Sequence, residues 1–149
     1  MWPPDESNGS SPRMSHTLLL FDVDGTLILS GGAGLRALNL TFHEMFQVQD
    51  AFTAITTAGR TDGEIIDEAL RQNQITSTEA VLVEIQRRYE GRLAEEIQLS
   101  GPRKGIMPGV EDLLKFLSVR RNVTLGLLTG NFQSTARIKL DYFGLSHYF

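Results

Sequence analysis

The chain of 149 residues contains no cysteine, which removes disulfide frameworks, thiolate nucleophiles and thiolate metal sites together. It is also short of positive charge. Fourteen lysines and arginines face 18 aspartates and glutamates, a net charge of −4, and that balance argues against nucleic acid as a partner. No apolar run approaches the length needed to span a membrane. The opening stretch, Met1-Trp2-Pro3-Pro4 through Ser11-Pro12, lacks the apolar core of a secretion signal and is rich in proline, serine and glycine, so residues 1–15 read as a disordered extension. Met14 stands just before the first structured segment and reads as an alternative start. A hydrophobic share of 41% is enough for one core domain with an insert, in a soluble, cytoplasmic protein.

What is present is concentrated at Asp22-Val23-Asp24-Gly25-Thr26. The apolar run Leu18-Leu19-Leu20-Phe21, which reads as a buried strand, precedes it, and Leu27 follows. Two carboxylates, a turn glycine and a hydroxyl at a strand exit lie where a doubly wound α/β sheet carries its chemistry. Along a strand, residues i and i+2 share a side. Because the chain leaves the strand here, the two carboxylates can address one centre from different angles, and Gly25 permits the sharp exit. The competing readings are a solvated turn and a fragment of a calcium loop. A calcium loop needs further oxygen ligands downstream, and Thr26-Leu27-Ile28-Leu29 supplies no such series.

The order Asp-x-Asp-Gly-Thr-Leu resembles motif I of the haloacid dehalogenase-like hydrolase superfamily, most of whose members are phosphatases. The resemblance implies Asp22 as nucleophile and Asp24 as general acid/base. A carboxylate nucleophile splits a hard phosphoryl transfer into two displacements through an acyl phosphate. Asp24 would protonate the leaving oxygen and then take a proton from the hydrolytic water. The resemblance also implies Mg²⁺, held by the Asp22 side chain and the Asp24 backbone carbonyl, since hard oxygen ligands and phosphate suit that ion. A carboxylate at position 24 favours phosphate esters over carbon–halogen or carbon–phosphorus substrates within the superfamily.

A second motif lies far along the chain. Asn122 to Leu128 reads as a short, nearly continuous apolar strand ending in Thr129-Gly130-Asn131. Thr-Gly-Asn alone is a common turn. After such a strand it resembles motif II of the same superfamily, in which Thr129 would donate its hydroxyl to a phosphoryl oxygen with help from backbone N–H groups near Gly130 and Asn131. A helix is expected from Gln133 to Phe143, with Ala136, Leu140 and Phe143 on one face and Gly144 as its stop.

The connection between the two strands, from about residue 30 to 107, is too long for one crossover helix. Its pattern is helical. Leu35, Leu38, Phe42 and Met45 share a face; Thr61-Asp62-Gly63-Glu64 reads as a capping box before Ile65, Ile66, Ala69 and Leu70; Thr76-Ser77-Thr78-Glu79 reads as another before Val81, Ile85, Tyr89, Leu93 and Ile97. At least three helices follow, and they fit the cap that many superfamily members insert after motif I. Gly59-Arg60-Thr61-Asp62 resembles the loop that related caps hold over the active site. Arg60 then either meets a phosphate or carboxylate of the substrate or is a surface arginine beside a helix start. Ser100-Gly101-Pro102-Arg103-Lys104-Gly105 reads as a linker with solvated charges. Val110, Leu113, Leu114 and Leu117 follow at helical spacing for packing on the sheet.

The superfamily needs a basic residue near the nucleophile. Lys139, between Ile138 and Leu140, reads as a surface residue in preference to that role. Relatives carry the basic group and an acidic metal motif further downstream than Phe149. The expected fold is therefore α/β, a Rossmann-like core with only its first two parallel strands, in the manner of the phosphoglycolate phosphatase and β-phosphoglucomutase subgroup. Residues 16–30 and 105–149 form the partial core and 31–104 the helical cap. One edge of the first strand is expected to be unpaired and open to self-association. The implied substrate is a small phosphorylated metabolite, with little turnover from a chain that reads as truncated. A phosphomutase and a non-catalytic remnant that binds phosphate or a partner chain are the alternatives.

Overall fold

A computed structural model describes residues 15–149; apart from Ser15, the expected disordered extension lies outside the described residues, as does Met14. The element order is β1 (Thr17–Phe21), β2 (Ile28–Leu29), α1 (Ala33–Phe46), α2 (Asp62–Gln72), α3 (Glu79–Glu96), β3 (Gly105–Ile106), α4 (Val110–Ser118), β4 (Val123–Leu127) and α5 (Gln133–Tyr142), with a final 3₁₀ turn at Ser146–Tyr148. This is the α/β class. β1 and β4 pair in parallel with Leu19 opposite Leu125, and a parallel pair demands a crossover, which the intervening elements supply.

The apolar residues gather in two clusters. In one, Ala37, Leu38 and Phe42 of α1 meet Ile65, Ile66 and Leu70 of α2 and Ile85, Tyr89 and Leu93 of α3. The Phe42 ring packs edge-on against Phe52, with centroids 4.7 Å apart, a favoured aromatic arrangement. In the other, Val23, Leu27 and Ile28 meet Val110 and Leu114 of α4 and Ala136 and Leu140 of α5. Between them lies a short antiparallel pair that sequence periodicity does not reveal: β2 and β3, with Ile28 opposite Ile106, hold together the two ends of the helical segment.

The Thr61–Glu64 capping box forms, with the Glu64 N–H donating to Thr61 Oγ1 at 3.2 Å and the Thr61 N–H to Glu64 Oε2 at 2.8 Å. Three local expectations are corrected. β1 is not a buried strand: Leu18 is 58% exposed and Leu20 51%, because among the described residues β1 has one neighbour, β4, and only its alternate residues face the second cluster. The cap of α3 is Thr78, which accepts the Val81 N–H, so the Thr76-to-Glu79 box is displaced by two residues. Lys104 is not a solvated linker charge. Its ammonium donates to the carbonyls of Ile97 and Leu99 and to the Tyr142 hydroxyl, satisfying carbonyls that the end of α3 leaves without partners.

Candidate active site

Both motifs leave the sheet side by side. The Leu128 N–H donates to the Phe21 carbonyl at 2.8 Å, one step beyond the register of β1 and β4, so Asp22 and Thr129 emerge at the same end. Val23, fully buried, anchors the loop after β1: its carbonyl accepts the N–H groups of Leu27 and Ile28, at 2.9 and 3.1 Å. Gly25 turns the chain at φ 82°, in the left-handed region that glycine adopts without steric cost. The loop thereby holds Asp22 and Asp24 outward on either side of a buried valine.

The two carboxylates differ in their surroundings. Asp22 is exposed and lines the cavity, with no side-chain hydrogen bond or ion pair among the described residues. Asp24 Oδ2 accepts from Asn131 Nδ2 at 2.8 Å and from Lys139 Nζ at 2.6 Å. Lys139 also donates to Asn131 Oδ1 at 2.6 Å, and Asn131 Nδ2 donates to Thr129 Oγ1 at 2.7 Å. One network thus joins Thr129, Asn131, Asp24 and Lys139. It uses both protons and the oxygen of the Asn131 amide, and a flipped amide would turn its oxygen toward the Asp24 carboxylate. Thr129 accepts within this network, so its own proton stays available.

Lys139 is the correction of greatest consequence. It is 4% exposed, not a surface residue, and it is the cation nearest the carboxylates. Its signal was present in the sequence: Thr135, Ala136, Lys139 and Leu140 are the buried positions of α5, the one-three-one spacing of a buried helix stripe.

A second residue connects the helical segment to this site. The Asp62 N–H donates to the Gly130 carbonyl at 2.7 Å, while its Oδ2 accepts the Phe132 N–H at 3.0 Å and the Thr135 hydroxyl at 3.1 Å. The start of α5 has no side-chain cap of its own, and Asp62 provides one from α2. Burial pushes the Asp62 carboxyl above its ordinary range, against the Phe132 N–H and the Lys139 charge, which pull it down. Gly130 is needed for close approach: a Cβ there would stand 2.4 Å from the Arg60 carbonyl oxygen.

These residues surround a cavity of about 680 Å³. Asp22, Asp24, Thr129, Gly130, Asn131 and Lys139 line one side; Arg60, Leu35, Leu38, Ile65 and Tyr89 line the other. Arg60 therefore reaches the cavity, but its guanidinium pairs with Glu68 and donates to the carbonyls of Thr56 and Glu64, at 3.2 and 3.1 Å. The hard oxygens here that suit Mg²⁺ are the Asp22 carboxylate, without a partner among the described residues, and, two positions on in the chain, the backbone carbonyl of Asp24, a set of the kind Mg²⁺ completes with waters and phosphate. Among the described residues no three acidic or histidine side chains cluster to hold a metal.

The family model for haloacid dehalogenase-like hydrolases matches residues 16–149. No curated protein matches the chain. Among solved structures, CbbY from Rhodobacter sphaeroides in complex with phosphate is similar at 23% identity and a TM-score of 0.66, over 90% of this chain and 61% of that one. A predicted phosphoglycolate phosphatase from Haemophilus somnus 129PT is similar at 20% identity and a TM-score of 0.57, over 93% of this chain and 62% of that one. At such identities the likeness is one of fold, and the chain spans about three-fifths of the length of these two structures.

Proposed function

The chain belongs to the haloacid dehalogenase-like hydrolase family, and on that basis we propose that it is a phosphatase-type hydrolase of small phosphorylated metabolites acting through an aspartyl phosphate on Asp22. The observation that carries this reading is the contrast between the two carboxylates: Asp22 is unencumbered in the cavity, while Asp24 is held by Lys139 and Asn131. A nucleophile needs a free oxygen, and an acid/base group needs a fixed orientation.

In the first step Asp22 attacks phosphorus and the leaving oxygen takes a proton from Asp24. In the second, Asp24 accepts a proton from the water that cleaves the acyl phosphate. The Thr129 hydroxyl and the backbone N–H groups of Gly130 and Asn131 are the donors for phosphoryl oxygens. The Lys139 ammonium offsets the charge that two carboxylates and a phosphoryl group bring together. The Asp22 carboxylate and the Asp24 carbonyl would hold Mg²⁺, which supplies charge neutralisation and orientation of the phosphoryl group. If Mg²⁺ is held by these oxygens, phosphate release depends on the Mg²⁺ concentration.

Residues 31–104 are the cap in this reading and 16–30 with 105–149 the core; the two apolar clusters, joined where Phe132, Ile138 and Phe143 of the core segment pack against the first, and the β2–β3 clasp support that division. A second reading, a non-catalytic chain that keeps the site and binds phosphate weakly, draws support from the missing third acidic group among the described residues. Among the described residues the edge of β1 away from β4 is unpaired and Leu18 and Leu20 are exposed, which supports self-association; light scattering over a concentration series would detect it as a rising mass.

The deciding experiment is hydrolysis of a panel of small phosphate monoesters by the purified chain over a Mg²⁺ series, beside Asp22→Asn. Mg²⁺-dependent phosphate release that falls roughly 10³-fold or more in the variant supports the phosphatase reading. No release from any ester, with phosphate still bound, supports the non-catalytic one.

A further inference from the structure

Tyr89 lies on α3, the longest helix of the cap segment, and is 1% exposed. It nevertheless lines the cavity, and its hydroxyl has no hydrogen-bond partner among the described residues. The oxygen is not sealed in protein either: among the described residues the fully enclosed polar side-chain atom without a partner is Ser146 Oγ. The hydroxyl therefore opens onto the cavity. Buried polar groups are almost always paired, with protein or with ordered water, so a hydroxyl left over at a cavity wall is a partner that a ligand atom can take up when it displaces water.

What faces it sharpens the reading. Gly34, in the first turn of α1, has no side chain, and a Cβ built there would lie 3.3 Å from the Tyr89 hydroxyl and 3.8 Å from Lys139 Nζ. Gly34, Tyr89 and Lys139 all line the cavity, and the absence of a methyl at Gly34 keeps the niche in front of the hydroxyl and the ammonium open. Lys139 gives two of its three protons to Asp24 and Asn131 and keeps one. The start of α1, with Gly32 as its cap residue, has no side-chain hydrogen bond, so first-turn N–H groups add their partial positive charge at the same place. Burial, and then the charges of Asp62 and Asp24, push the Tyr89 hydroxyl well above its ordinary pKa; it stays protonated and donates. The niche is bounded by donors, so the atom that fits it is an acceptor oxygen.

We propose that Tyr89, across the niche at Gly34, is a specificity residue that hydrogen-bonds an oxygen on the organic part of the substrate, so that the site selects phosphate esters with a carboxylate or hydroxyl next to the ester carbon. The inference rests on the phosphoryl-site reading above. Leu35, Leu38 and Ile65 beside the niche offer such an oxygen no alternative partner, so an ester lacking it leaves Tyr89 unpaired, which is how a polar site rejects an apolar analogue.

The test is calorimetric titration in Mg²⁺ buffer with inorganic phosphate, phosphoglycolate, 2-hydroxyethyl phosphate and ethyl phosphate. Every sample given an ester carries Asp22→Asn, so that no ester is turned over, alone or with Tyr89→Phe or Gly34→Ala. The expected result is that one or both oxygenated esters bind at least about fivefold tighter than ethyl phosphate. Both second substitutions remove that preference and leave inorganic phosphate binding unchanged. Preference for phosphoglycolate alone identifies a carboxylate as the partner, and preference for both a hydroxyl or carboxylate alike. A Cβ at Gly34 would stand 3.3 Å from the Tyr89 hydroxyl, so Gly34→Ala is read beside its thermal unfolding: a preference lost at unchanged stability marks a filled niche, not a folding defect. Equal binding of all three esters, or a preference that survives Tyr89→Phe, overturns the inference while the phosphoryl site stands; failure of inorganic phosphate to bind even to the chain that keeps Asp22 overturns both.

Discussion

Lys139 Nζ stands 2.6 Å from Asp24 Oδ2, although the two residues are 115 positions apart in the chain. The ammonium is almost fully enclosed, whereas the carboxylate is 43% exposed. The pair is thus half solvated, and its value lies in fixing Asp24 and in charge compensation more than in stability.

Replacing Lys139 with Met keeps most of the apolar stem and removes the charge. Solvent screening at Asp24 limits the cost in stability to ~1 kcal/mol, whereas phosphate affinity should fall about tenfold or more as a charge-assisted contact is lost. Urea unfolding and phosphate titration of the same sample read the two effects. A loss above about 3 kcal/mol, the scale of a fully buried pair, with affinity intact, would mean that Lys139 is structural.

Asp62 sets a pH dependence. Its carboxyl is raised in the folded chain because burial disfavours the charge, so the folded state holds the proton more tightly than the unfolded chain does. Its contribution to stability is complete below the ordinary carboxylate range and is lost as pH rises through the raised folded value. Asp62→Asn keeps an oxygen for the Phe132 N–H and the Thr135 hydroxyl but does not titrate. The wild type should therefore be most stable relative to Asp62→Asn at pH below the ordinary carboxylate range and lose that margin as pH rises through the raised folded value, as followed by thermal unfolding. Parallel curves for the two proteins would contradict the assignment.

Gly130→Ala tests the contact between the Arg60–Thr61 loop and the turn after β4. The added methyl would meet the Arg60 carbonyl oxygen at 2.4 Å and Thr61 Cα at 3.0 Å, and backbone on both sides cannot yield as a flexible side chain can. A cost of about 1–3 kcal/mol is expected, together with faster proteolysis between α1 and α2. A variant as stable as the wild type, with the loop equally protected, would show that the two segments do not press on each other.

The parts legible in the sequence were those written in local pattern. The capping box at Thr61 and Glu64 formed because its two partners are three residues apart, and α5 runs from Gln133 almost to its expected end because its apolar spacing and Gly144 mark it. Asp22, Asp24, Thr129, Gly130, Asn131 and Arg60 all line one cavity. The clasp of β2 and β3 escaped notice because two residues on each side carry no periodicity. Asp62 could be read as part of a helix start but not as the cap of α5, since Phe132 is 70 positions away. At Lys139 two signals oppose each other: the charge favours the surface, while its place on the stripe of Ala136 and Leu140 points inward, and the stripe prevails. The exposed faces of Leu18 and Leu20 depend on what flanks β1, which no local pattern encodes.

The central claim is that Asp22 becomes phosphorylated, and it can be tested by trapping. Asp24→Asn removes the base for hydrolysis of the acyl phosphate, while a donor with a good leaving group, such as acetyl phosphate, needs no acid to form it. Mass spectrometry of peptides from that variant after incubation with acetyl phosphate and Mg²⁺ should find one phosphoryl group on the peptide carrying Asp22, absent when Asp22→Asn is added. No phosphoryl group on that peptide, or one that persists in the double variant, would contradict the account.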